Sequence, residues 1–131
     1  MGLIIYNATD FEVRLKCTIH NSGKLGFTDA TAKALKLSGN GDSVLFASDE
    51  NDAKQLYLIY NKTTVPGSFK INKAGAYFYV NAKGLFDKLG YNYKDQVIMF
   101  DMIECKSKEE NNITGDVYEL KERSKPRNTK E

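Results

Sequence analysis

KAGAYFYVNAKGLFDKLGYNYKDQVIMFDMIE, residues 73–104, decides the fold. Alternation assigns Tyr77 and Tyr79 to the buried face of a strand and Phe78 to its other face, and Asn81 stands where a helix N-cap belongs. Leu85, Phe86 and Leu89 follow at helical spacing, and Gly90 occupies the position of a left-handed C-cap. Val97, Ile98, Met99, Phe100 and Met102 then form a second, largely buried strand. The stretch therefore reads as strand, helix, strand.

The same pattern occurs about fifty residues earlier. Ile19 aligns with Ile71, Gly23 with Gly75, Ala30 with Ala82, and Lys36-Leu37 with Lys88-Leu89. After a one-residue gap, Asp42-Ser43-Val44-Leu45-Phe46 aligns with Asp95-Gln96-Val97-Ile98-Met99. Leu25 and Phe27 take the places of Tyr77 and Tyr79. Each copy is predicted to be two strands around a Gly turn, a short helix, and two more strands. The expected fold class is β-rich α+β: two tandem ββαββ-like repeats, about 11–61 and 67–121, in a single globular domain over 1–121.

Reading outward, Leu3 to Tyr6 is a short apolar run expected to form an accessory or edge strand. Phe11 to Ile19 alternates well enough to predict a half-buried strand. Thr28 or Asp29 is expected to cap a helix reaching Leu37, with Ala30, Ala34 and Leu37 turned inward. Asn61 to Gly67 links the copies, and Lys106 to Gly115 is a charged hairpin loop. Residues 122–131 lack an apolar anchor and are expected to be a disordered basic tail.

Length and 41% hydrophobic residues suffice for one packed core. No apolar run approaches the ~20 residues of a membrane span, and the N-terminus lacks the basic flank of a signal peptide. A cytoplasmic protein is expected, with Cys17 and Cys105 as free thiols and the three Asn-X-Thr sequons as plain turns. The excess of Lys over Arg and the frequent Asn suggest an AT-rich bacterial or phage source. Net charge is only +2, and its excess lies in the tail, so the body is close to neutral.

No constellation suggests an enzyme, a cofactor or a metal. His20 is the single histidine and has no acidic or thiol neighbour in sequence. Asp49, Glu50 and Asp52 lack calcium-loop spacing, and Gly39-Asn40-Gly41 follows a helix, where a phosphate cradle would precede one. Two groups could bind. The basic group is Arg14, Lys16, Lys24, Lys33 and Lys36 with their counterparts Lys70, Lys73, Lys83 and Lys88, which as plain solvated side chains would do nothing more. The aromatic group is Tyr77-Phe78-Tyr79, Tyr91 and Tyr93, whose exposed members would stack on bases. Phe78 is the ring assigned to the outer face.

Gly23-Lys24, Leu25, Phe27, Ala34-Leu35, Asp42 and the Val44–Ile59 hairpin, repeated through Gly75, Val80, Leu89-Gly90, Asp95 and the Val97 strand, resemble the AbrB-type swapped-hairpin module of bacterial transcription regulators. Thr28 and Val80 stand where the family's modules carry a capping Pro, and Ala76 where they carry a basic residue. The resemblance implies two modules intertwined as one pseudo-symmetric swapped-hairpin barrel, the tandem arrangement of MraZ-type proteins. It implies a small non-enzymatic DNA-binding regulator contacting phosphates through Arg14, Lys16, Lys24, Lys33, Lys36, Lys70 and Lys73. The alternative is a structural or protein-interaction module of phage or mobile-element origin with no nucleic-acid binding. Homo-oligomerisation is open in both.

Overall fold

The computed structural model describes residues 2–6, 8, 15–105 and 115–126. In chain order its elements are β1 (Leu15–Ile19), β2 (Lys24–Phe27), α1 (Asp29–Leu35), β3 (Ser43–Asp49), β4 (Asp52–Asn61), β5 (Phe69–Ala74), β6 (Tyr77–Asn81), α2 (Lys83–Leu89), β7 (Gln96–Cys105) and β8 (Asp116–Pro126). The eight strands close into one antiparallel barrel in the order β1-β2-β6-β5-β3-β4-β8-β7. Every strand pairs with one strand of its own half and one of the other half. An isolated half would expose unpaired backbone along its hairpin edges, and the other half satisfies it.

Two four-stranded layers make up the barrel: β1-β2-β6-β5 and β3-β4-β8-β7. The first contributes a continuous row of fully buried aliphatics, Ile19, Leu25, Val80 and Ile71, paired strand to strand. Val44, Leu56, Leu58, Ile98, Phe100 and Leu120 fill the space from the second. The seams between the layers are unequal. β1 and β7 pair from Leu15–Met102 through Ile19–Ile98, whereas β3 and β5 pair only at Ser43–Lys70 and Val44–Phe69. Asp42 reinforces the short seam. Its carbonyl accepts from the Ile71 N–H at 3.2 Å. Its buried carboxylate accepts from the Ser38 N–H at 2.8 Å, the Gly39 N–H at 2.9 Å and the Tyr60 hydroxyl at 3.0 Å.

Both helices are single short segments held by tertiary contacts, since seven residues are too few to be stable alone. Thr28 caps α1, and the buried Thr31 hydroxyl bridges the Lys16 N–H and C=O of β1 at 2.8 and 2.9 Å. Thr31, Ala32 and Leu35 face inward while Ala30 and Ala34 are exposed, so the inward stripe within the helix is rotated from the expected one, and Leu37 just beyond it is buried as expected. α1 also ends two residues before Leu37, because Lys36 is left-handed at φ 56°. Gly90 is the left-handed C-cap of α2 at φ 83°, as expected. Ala82, with no capping side chain, replaces Asn81 as N-cap, and the Lys83–Asp87 pair at 2.8 Å braces the helix instead. A non-glycine residue in this conformation costs about 1–2 kcal/mol, partly offset by glycine's larger folding entropy. Lys36→Gly is therefore expected to raise stability by about 1 kcal/mol in urea unfolding; an unchanged or lower midpoint would contradict this.

Three further expectations are corrected. Leu3 to Tyr6 forms no strand and is exposed along its length. β8 runs to Pro126, paired with Gln96, so folded chain extends five residues beyond the expected boundary at 121, and 127–131 lie outside the described residues. Residues 11–14 of the predicted first strand, and 106–114 of the predicted loop, also lie outside them. Cys17 is buried, Cys105 half-buried, and neither is in a disulfide. No helix among the described residues is long and apolar enough to cross a membrane.

The tyrosines and Cys17 together set the alkaline limit of the fold. Burial pushes Tyr91 and Tyr118 up to about 12, with Glu122 and Asp116 respectively adding to the shift, and burial together with the Asp42 hydrogen bond raises Tyr60 further. In the unfolded chain a tyrosine ionises near 10. Burial also raises the Cys17 thiol, which ionises at about 8.5 in the unfolded chain, so the unfolded state loses protons first and stability should be full below about pH 8 and fall progressively up to about pH 12. A urea midpoint that stays flat across this window would refute it.

Candidate nucleic-acid interface

The first layer builds the interface from strand alternation. Cys17 and Ile19, Leu25 and Phe27, Ile71, and Phe78 and Val80 point into the barrel. Lys16, Thr18, Lys24, Gly26, Lys70, Asn72, Tyr77, Tyr79 and Asn81 therefore face outward. None of these four strands carries an Asp or Glu. Among the residues with described side chains, the second layer carries Asp49, Asp52, Asp101, Glu104, Asp116, Glu119 and Glu122 against Lys54, Lys121 and Arg123. A chain of nearly neutral body is thus polarised into a cationic layer and an acidic one. Fields add over such a surface, whatever the net charge of the molecule.

The basic residues expected from the sequence fall into distinct places. Lys24 and Lys70 are exposed on the outer face of the cationic layer. Lys16 is half-buried there and faces Asp101 across the β1–β7 seam, which offsets its charge. Asp101 is buried and also bound by Arg123 at 2.7 Å. Lys73 lies on the inward side of β5 at the barrel rim, its ammonium 5.7 Å from the Phe78 ring centroid. Lys33 pairs with Asp29 at 3.0 Å on exposed α1, and Lys36 is exposed at its C-terminus. Arg14 lies outside the described residues.

The aromatic assignment is reversed. Phe78 is buried, whereas Tyr77 is 39% exposed and Tyr79 is half-buried on the outer face. The cause is turn parity. Ile19 pairs with Leu25 six residues on, but Ile71 pairs with Val80 nine residues on. An odd step in place of an even one exchanges the two faces of β6 relative to β2.

Tyr77 and Tyr79 lie nearly parallel, 19° between planes and 5.8 Å between centroids. The Lys24 ammonium sits 4.7 Å from the Tyr79 centroid. The Tyr77 hydroxyl and His20 Nε2 share a hydrogen bond of 2.6 Å above Gly26. Gly26 is required there, since a Cβ would stand 1.9 Å from the Tyr77 oxygen and 2.5 Å from His20 Nε2. Burial raises the Tyr77 pKa, and Tyr79 adds to it. His20 and Gly26 were not separable from ordinary turn and strand residues in the sequence. Tyr77 and Tyr79 were, because Phe78 and Val80 are the more apolar pair of the alternation.

No protein-family model, curated protein or solved structure matches this chain. The candidate interface therefore rests on its own residues. Among the described residues no group of His, Cys, Asp or Glu could hold a metal ion. A cavity of about 500 Å³ lies elsewhere, between the C-terminus of α2 and the acidic layer, lined by Lys54, Lys88, Tyr91, Gln96 and Glu122 among others. Its lining sets Lys54 and Lys88 against Glu122, and none of these lies on the outer face of β1-β2-β6-β5.

Proposed function

We propose that this chain is a small DNA-binding regulator that engages phosphates through the outer face of β1-β2-β6-β5. The observation that carries the reading is the segregation of charge: among the described strand residues, lysines with no carboxylate on one layer and carboxylates concentrated on the other. Lys24 and Lys70 are the principal contacts, with Lys16 at the margin. Lys33, Lys36 and Lys73 contribute from the helix and rim, and Arg14 precedes β1 in the chain. We further read the fold as a tandem, pseudo-symmetric swapped-hairpin barrel of the AbrB-like kind. Its support is the strand order, which is unchanged when β1–β4 and β5–β8 are exchanged.

The test is anisotropy of labelled DNA from about 50 to 200 mM salt, using the full chain and a chain ending at Pro126. Each released counterion adds about −0.9 to the log–log slope, so a few phosphate contacts weaken binding some tens of fold across that range. The shorter chain should keep this dependence. No binding at the lowest salt would rule the reading out, and binding lost with residues 127–131 would take it off the barrel.

One observation favours a protein-interaction module instead. Leu3, Ile4, Ile5 and Tyr6 form an exposed apolar run. Light scattering that shows a monomer with or without residues 2–6 would count against that role. The Phe78 patch that would also have favoured it is buried.

A further inference from the structure

We infer that the cationic layer takes an unpaired nucleic-acid strand in preference to a duplex, with the Tyr77–Tyr79 stack as a platform for its bases. This rests on the reading of that layer as a nucleic-acid interface. Three observations carry it further. The surface is broad: four strands at about 4.8 Å spacing span roughly 14 Å between outer strand axes, wider than a major groove of about 12 Å. Such a face cannot insert to read base edges, but it can support splayed bases.

The rings also occupy the middle of the face. Tyr77 and Tyr79 are on β6, one of the two central strands, with Lys24 on the other central strand and Lys70 on a flanking one. Rings at the centre, with one ammonium beside them on β2 and another at the edge on β5, let bases stack while the backbone stays within reach of positive charge. Finally, the platform is preorganised. The Tyr77 hydroxyl is tied to His20, the ring lies parallel to Tyr79, and Gly26 leaves the space beneath. A base stacking on Tyr77 would extend an existing stack and restrict few new rotamers.

The experiment compares oligothymidine and oligouridine of about twelve nucleotides with a duplex of equal length, near 50 mM salt, for the parent, Tyr77→Ala, Tyr77→Phe and Lys24→Glu. The two single strands distinguish DNA from RNA as the source of the same chemistry. At least one is expected to bind about tenfold or more tighter than the duplex. Tyr77→Ala should weaken it about 5- to 100-fold while leaving duplex binding within twofold. Tyr77→Phe, which keeps the ring, should bind within about threefold of the parent. Circular dichroism melts confirm that each variant is folded.

The chain has no Trp, so quenching of tyrosine emission gives a second readout of stacking. Duplex bound as tightly as both single strands, or Tyr77→Ala without effect on them, overturns this inference. If Lys24→Glu still weakens the duplex in that case, the phosphate interface stands without it. No binding of any probe overturns both.

Discussion

Lys24→Glu combined with Lys70→Glu is expected to weaken nucleic-acid binding about a hundredfold near 50 mM salt and to leave none measurable near 200 mM. Both side chains are exposed on the layer whose described strands carry no carboxylate, so each reversal introduces repulsion where attraction dominates. Exposed substitutions of this kind change stability by about 0.5 kcal/mol or less, so the loss should appear in a fully folded protein. The matching control is Lys54→Glu with Lys121→Glu on the acidic layer, which should change affinity less than about threefold. Anisotropy titrations of the two double variants decide the matter. Equal losses in both would mean that general charge, and not this face, does the binding. Parent-like binding by Lys24→Glu/Lys70→Glu would remove the layer as the interface.

The largest loss of stability is expected from Asp42→Ala, by about 3–4 kcal/mol in urea unfolding. The buried carboxylate accepts from two backbone N–H groups and the Tyr60 hydroxyl, and alanine leaves all three without that acceptor. Hydrogen bonds to a charged group contribute about 1.5–3 kcal/mol each, and hydration of the part-exposed loop recovers some of it. The loop also delivers the Asp42 carbonyl to the Ile71 N–H beside the short β3–β5 seam. Amide exchange should therefore rise first in β5 and in the start of β3. Asp42→Asn should lose about half as much, because one oxygen acceptor remains. Tyr60→Phe should cost about 1 kcal/mol, since only one bond disappears and the ring stays packed. A midpoint for Asp42→Ala within about 1 kcal/mol of the parent would show that the network contributes little.

Features set by nearest neighbours along the chain were legible. The order of the eight strands and two helices, the cap at Gly90 and the inward set Cys17/Ile19 follow from local periodicity and from glycine's access to positive φ. The errors share one origin. Alternation places Tyr77 and Tyr79 inward, in the places of Leu25 and Phe27, and a turn of different parity reverses them. Ala30 and Ala34 gave way to Thr31 and Ala32 because the Thr31 hydroxyl binds the β1 backbone at Lys16, a contact between residues fifteen apart. The extension of β8 depended on the length of β7, whose Gln96 pairs with Pro126.

By itself, then, the sequence determined a β-rich chain with two short helices, an apolar face on each strand, and lysines spaced along the outer positions of β1, β2 and β5. Only the tertiary structure decided that these lysines share one face without a carboxylate, and that Tyr77, Tyr79 and His20 meet over Gly26. The physical reason is that alternation specifies which side of a strand is polar, whereas the pairings β2–β6 and β4–β8 specify which polar sides lie together. Those pairings join residues more than fifty positions apart, and no local pattern encodes the sign of charge that such a neighbour will bring.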